Sequence, residues 1–286
     1  MQSLHKRVAA RARRGLEPGA TLVDLLQGAP NLRLLLVAAH PDDDIIGAGG
    51  LLAQLRGSVR IIYVTDGCPR DPHHAYAAGC RDRAQYREQR LSEAEHAAAL
   101  ANIPAKRLRF LGYTDQEAYL FLPRIARELA LRFRRYRADA VITHPYEAAH
   151  PDHDATAYAV HAARRLLLAQ GLPAPEIVEF TSYHGSEGRL ETGEFLPSLR
   201  AAELTIALKE HEQVLKRRML ECHRSQQATL GGLGFRTDAE KFRLAPEYDF
   251  TRLPTSAVLY ERFAPAVTVE AWLDRVRSAN TELGFA

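Results

Sequence analysis

The chain has 286 residues, 46% hydrophobic and 26% charged, which is long enough to bury a sizeable core. Lys and Arg number 38 against 35 Asp and Glu, a net charge of +3, so no basic excess marks a nucleic-acid binder. No apolar stretch approaches the roughly 18 residues of a membrane helix, and Cys68, Cys80 and Cys222, without CxxC spacing, exclude a disulfide framework or a cysteine-built zinc site and suit a reducing cytoplasm.

Residues 1–30 are read as an N-terminal helical extension, helical over 3–15 and broken at Pro18-Gly19. Its basic residues lack an apolar core behind them, unlike a secretory signal. The whole of 1–286 is expected to be one α/β unit. Strands are expected at 32–39, 59–65, 106–111, 139–143, 176–183 and 256–263. Helices are expected at 45–56, 81–101, 122–137, 154–170 (capped at Gly171), 200–223 and 268–278. Stretches 184–197 and 228–255 read as loops or small irregular subdomains. Strands alternating with helices imply βαβ units, hence a Rossmann-like three-layer fold with a mainly parallel sheet. The basic run Arg132–Arg137 reads as the solvated last turn of a helix.

Two clusters carry the chemistry. The first, His40-Pro41-Asp42-Asp43-Asp44, follows the apolar run Leu34–Ala39 directly, at a strand's carboxyl end, where open α/β sheets bind ligands. The second, His150-Pro151-Asp152-His153-Asp154, lies about 110 residues later and again follows a strand. Catalytic zinc takes three protein ligands and keeps a fourth position for water. His40, Asp43 and His153 supply that set, and Asp42 remains free as general base. His150 is placed to stabilise an oxyanion or protonate a leaving amine, and Asp152 to hydrogen-bond an imidazole and fix its tautomer. His144, Glu147, Asp44 and Asp154 are weaker ligand candidates. Each cluster alone could be a helix cap and a turn, but two such tetrads at strand ends favour a shared metal. The glycines Gly47, Gly49 and Gly50 do not have dinucleotide-fingerprint spacing and read as helix–sheet packing.

The first cluster with Gly49-Gly50, Thr65-Asp66-Gly67, Arg90-x-x-Glu93-Ala94, the second cluster, and Lys216-x-x-Met219-x-x-x-His223-x-Ser225-Gln226 together resemble the LmbE-like (PIG-L) zinc-dependent de-N-acetylases over about residues 32–230. The resemblance implies a Rossmann-like fold and removal of an acetyl group from an N-acetylglucosamine-type sugar or glycoconjugate. It implies Zn2+ on His40, Asp43 and His153, with Asp42 as base, His150 assisting the oxyanion or leaving group and Asp152 as a supporting partner. It also implies a sugar contact at Arg90, whose plain alternative is a helix-surface ion pair with Glu93. Asp44 departs from the family's usual Glu, and Pro145–Ala149 from its glycine-rich forms. Tyr146 either enters the cleft or packs over the strand end. Imidazole and carboxylate donors also accept other divalent metals such as Fe2+. The competing readings are a catalytically silent sugar-binding protein and a metal-dependent hydrolase of another acyl bond. Homo-oligomer formation is left open.

Overall fold

A computed structural model describes residues 32–55, 59–186, 189–197, 201–256, 258–264 and 267–285. The expected helix at 3–15 lies outside these residues. Strand β1 (Leu34–Ala38) leads into α1 (Asp43–Leu55) and β2 (Arg60–Thr65). Two helices follow, the short α2 (Pro72–Ala77) and the long α3 (Arg83–Leu100). Then come β3 (Leu108–Tyr113), α4 (Leu122–Tyr136), β4 (Ala140–Thr143), α5 (Pro151–Ala169) and β5 (Glu176–Phe180).

These five strands pair in parallel in the order β3-β2-β1-β4-β5. The order reverses between β1 and β4, and a crevice opens there at the strands' carboxyl ends. β1 is apolar throughout because both its faces are covered. Leu35 and Val37 pack with α4, α5 and the C-terminal helix α8 (Val269–Leu283). Leu34, Leu36 and Ala38 face α1 and α3. This is the expected three-layer α/β arrangement with a mainly parallel sheet. The glycine-rich start of α1 serves packing: a Cβ on Gly47 would sit 2.0 Å from the Phe180 ring on β5.

The second half departs from the sequence reading. A hairpin, β6 (Tyr183–Ser186) and β7 (Arg189–Thr192), occupies part of the expected loop 184–197. The expected helix 200–223 is instead β8 (Glu203–Ala207) followed by α6 (Glu210–Glu221). The stretch 228–255 holds most of α7 (Gln227–Leu233) and all of β9 (Ala239–Leu244). β9 joins β5 antiparallel and carries β8 on its outer edge. The expected strand 256–263 is not formed among the described residues; Tyr260–Arg262 is a 3-10 turn that buries Tyr260 in the core. Its apolar residues satisfy packing without a ladder. Among the described residues, no helix is long and apolar enough to cross a membrane.

Candidate metal centre

Both histidine clusters fold as strand-to-helix turns. At the first, the His40 backbone N–H donates to Asp43 Oδ2 at 2.7 Å, and the Asp42 carbonyl accepts the amides of Ile45 and Ile46 at 3.0 and 3.1 Å. Helix α1 therefore starts two residues earlier than its apolar pattern suggests and carries Asp43 and Asp44 in its first turn, where carboxylates suit the dipole. At the second, Pro151 opens α5 and His150 is its N-cap, with Nδ1 accepting the Asp152 amide at 3.2 Å. That bond leaves the neutral ring's proton on Nε2. Asp154 fixes the approach to this cap: its Oδ1 accepts the amides of Glu147 and Ala148, and Ala148 holds a left-handed φ of 55°.

The two turns meet. His40 Nδ1 lies 3.1 Å from Asp43 Oδ2 and 3.3 Å from His153 Nε2, and His153 Nε2 lies 3.3 Å from Asp43 Oδ1. Zinc–ligand distances of about 2.0–2.2 Å put neighbouring donors of a tetrahedron about 3.3–3.6 Å apart. The three side chains therefore fit one small divalent cation. His144 also stands beside Asp43, at 3.3 Å, and stacks on His153, but its Nε2 accepts the Ala39 amide at 3.0 Å and its lone pair is engaged. Asp44 accepts the Tyr63 hydroxyl at 2.9 Å, and Glu147 accepts the Leu196 amide at 2.8 Å; with Asp154 they belong to the scaffold.

Around the trio, Asp152 Oδ2 lies 3.2 Å from His40 Nε2 while its two oxygens accept the amides of Gln116 and Ala118 at 2.6 and 3.0 Å. Asp152 is fully buried behind His40, so it orients the imidazole from the side away from Asp43. Arg90 Nη2 pairs with Asp42 Oδ2 at 2.9 Å and Nη1 donates to the Gly67 carbonyl at 2.5 Å. Its ion partner is thus Asp42, and Glu93 binds Ser225 and Gln89 instead. Gly67 is required for this contact, because at its φ of 64° an added Cβ would lie 2.4 Å from the guanidinium.

Residues 35–164, which hold all of these turns, match the family PIG-L, GlcNAc-PI de-N-acetylase. Over that segment, a little under half of its length, the chain is similar to the PIG-L family. No curated protein sequence matches it. Among solved structures it is similar to the zinc-inhibited form of teicoplanin deacetylase Orf2, at 16% identity over 74% of this chain and 97% of that one, with a TM-score of 0.58. It is similar to N,N'-diacetylchitobiose deacetylase from Pyrococcus horikoshii at 22% identity over 86% and 96%, with a TM-score of 0.55. The conserved protein TT1542 from Thermus thermophilus aligns at 22% identity over 79% and 99%, also at 0.55. Likeness at these identities is a likeness of fold.

Electrostatics in the matched segment suit a cation. Burial and the neighbouring His144 lower His153 to about 4, so its ring is neutral and its lone pair free. Against the cost of burial, His153, His144 and His40 hold Asp43 well below the usual carboxylate range. Burial and the facing imidazoles of His40 and His153 hold His150 well below the usual histidine range. Against the cost of burial, Asp115 and Asp43 hold His40 well above that range. Asp42, Asp43, Asp115 and Asp152 are all buried here against two cationic groups, the Arg90 guanidinium and the His40 imidazole. That excess of negative charge is what a bound dication offsets.

Asp115 was not singled out from the sequence. It stands just past β3, with Oδ1 3.3 Å from His40 Nε2 and 3.9 Å from His150 Nε2, and Oδ2 4.0 Å from Arg90 Nη1. Its position at a strand's carboxyl end was the available signal, but the sequence reading places that strand two residues early, at 106–111 instead of Leu108–Tyr113. A cavity of about 450 Å³ opens over the centre. His40, Asp42, Asp43, Arg90, Asp115, His150 and His153, all within the matched segment, line it, whereas Tyr146 packs against Phe250 and Trp272 in the core.

Proposed function

We propose that the chain hydrolyses the acetamide of an N-acetylglucosamine-type sugar or sugar conjugate. The convergence of His40, Asp43 and His153 on one point, with Asp42 beside them at the floor of the cavity, carries this reading. The same trio would hold Zn2+, or Fe2+, which both accept imidazole and carboxylate donors. When bound, such an ion polarises the amide carbonyl and makes water a nucleophile near neutral pH.

Asp42 takes a proton from the attacking water, with Arg90 fixing its Oδ2 and leaving the other oxygen for the transfer. As the water oxygen bonds to the carbonyl carbon, His150 donates its Nε2 proton in a hydrogen bond to the developing oxyanion. The lowered basicity of His150 keeps it a neutral donor in this role. The C–N bond then breaks, Asp42 returns its proton to the leaving nitrogen, and acetate and a free amine result. Arg90 and Asp115 offer the sugar hydroxyls a donor and an acceptor at the cavity wall. Three free thiols suit action in a reducing cytoplasm.

The test is acetate release from a panel of N-acetylated amino sugars, with and without a chelator, by the wild type and by Asp42→Asn. Turnover that the chelator abolishes, and that falls about 10²–10⁴-fold in Asp42→Asn, is expected. Glycan binding with no acetate release from any member would overturn the proposal.

A further inference from the structure

The end of the sheet opposite the metal centre holds a second recess. It has a volume of about 360 Å³ and lies at the amino ends of β1, β2 and β3. At roughly 3.3 Å per residue, the length of β1 puts about 16 Å between the two sites. The buried Leu34 and Leu35 form its floor. Four arginines surround that floor: Arg33 ahead of β1, Arg60 opening β2, Arg107 closing a 3-10 turn before β3, and Arg135 in the last turn of α4. Arg33 is neutralised, its fork holding the two oxygens of Asp139 at 2.9 and 2.8 Å. Among the described residues, Arg60, Arg107 and Arg135 have no carboxylate within ion-pair reach. Arg60 lies over the ring of Tyr136 instead, 4.7 Å from its centroid, which fixes the plane of its guanidinium.

Helix electrostatics account for part of this cluster. A cation in the last turn of α4 suits the dipole, which explains Arg135. Arg60 opens a strand and serves no helix end, and Arg107 follows a single 3-10 turn. Three like charges around one concave space repel one another, and an anion among them removes that cost. Arginine presents a planar fork that matches phosphate with paired hydrogen bonds. A phosphate monoester carries about −1.5 to −2 at neutral pH, so two such groups match three free guanidiniums where one does not. The geometry points to a binding site here for a small molecule carrying two phosphate groups, with Arg60, Arg107 and Arg135 as its anion contacts. A closed-in recess with an apolar floor suits a small ligand. A nucleic-acid backbone needs positive charge spread along a longer surface, and the whole chain carries only +3. The inference is independent of the hydrolytic reading, since none of these residues lines the cavity over the metal centre.

Calorimetry on the full chain tests it, with fructose 1,6-bisphosphate as the probe beside inorganic phosphate and unphosphorylated fructose. Saturable binding of the bisphosphate is expected, weakening as salt rises. Inorganic phosphate should bind about tenfold or more weakly, and fructose not at all. Arg60→Gln, Arg107→Gln and Arg135→Gln should each weaken the bisphosphate about tenfold or more. The exposed Arg135 is the variant least able to disturb folding, and its melting temperature should match wild type. His153→Ala should bind the bisphosphate as tightly as wild type, which separates the recess from phosphate held at the metal centre. Three results would overturn the site: no saturable binding, binding that His153→Ala removes and the arginine variants keep, or tighter retention of an oligonucleotide or an acidic peptide than of the bisphosphate.

Discussion

Asp152 never reaches the cavity, yet it connects four parts of the site: the His40 ring, the two amides that lead out of β3, and the N-terminal turn of α5. In the proposed centre it would act as a positioning residue for the ligand His40. Asp152→Asn keeps an amide acceptor but loses the negative charge opposite His40, so metal affinity should drop about 10–100-fold with the chain still folded. Chelator competition measures this, and unchanged affinity would refute the role. These side chains were legible in the sequence because two turns each concentrate several donors within five residues. Asp115 was not, since one carboxylate after a strand carries no pattern. Arg90 was legible as a site residue but not by partner: helical spacing offered Glu93, and the fold delivered Asp42 from the turn between β1 and α1.

Helix α1 is interrupted where it supports the site. Ala48 leaves helical geometry at φ −143°, and the groups freed near the break are met from elsewhere. Glu240 on β9 accepts the amides of Gly50 and Leu51 at 2.7 and 2.9 Å, and Lys216 on α6 donates to the Ile46 carbonyl at 2.9 Å and to Glu240 at 2.8 Å. Both side chains are almost wholly buried. Lys216→Met strands the Glu240 charge and should cost about 3–5 kcal/mol, with Lys216→Met/Glu240→Gln recovering part of it. Denaturant unfolding of both variants checks this; a neutral single variant would show that the pair does not brace α1. The same ion pairs explain why β9 was illegible. Its buried positions include Glu240 and Arg243, and Arg243 pairs with Glu179 at 2.7 Å, so the strand lacks the alternation that marks a half-buried ladder. β8 was lost for a related reason, because its short stretch runs into the strong helical pattern of α6. The parallel strands were legible because burial on both faces makes them continuous apolar runs.

Across the whole molecule, the sheet order decides where chemistry can occur, and the crevice between β1 and β4 is where both histidine turns emerge. The middle of α5 shows a different consequence of burial. His161 is wedged against Tyr248 and Phe250, and burial lowers it to about 3. Unfolded, it titrates near 6.5, so between about pH 6.5 and 3 the unfolded chain binds more protons and stability falls as pH falls, by up to about 1.4 kcal/mol per unit. His161→Phe should flatten the melting temperature against pH across that window relative to wild type; parallel curves would contradict the assignment. The central claim concerns one cation held by both turns. Metal analysis of the purified chain beside His40→Ala and His153→Ala tests it most directly. The account predicts about one divalent ion per wild-type chain and its loss from each folded variant. Stoichiometric metal in either variant, or a wild-type chain that takes up none, would contradict it.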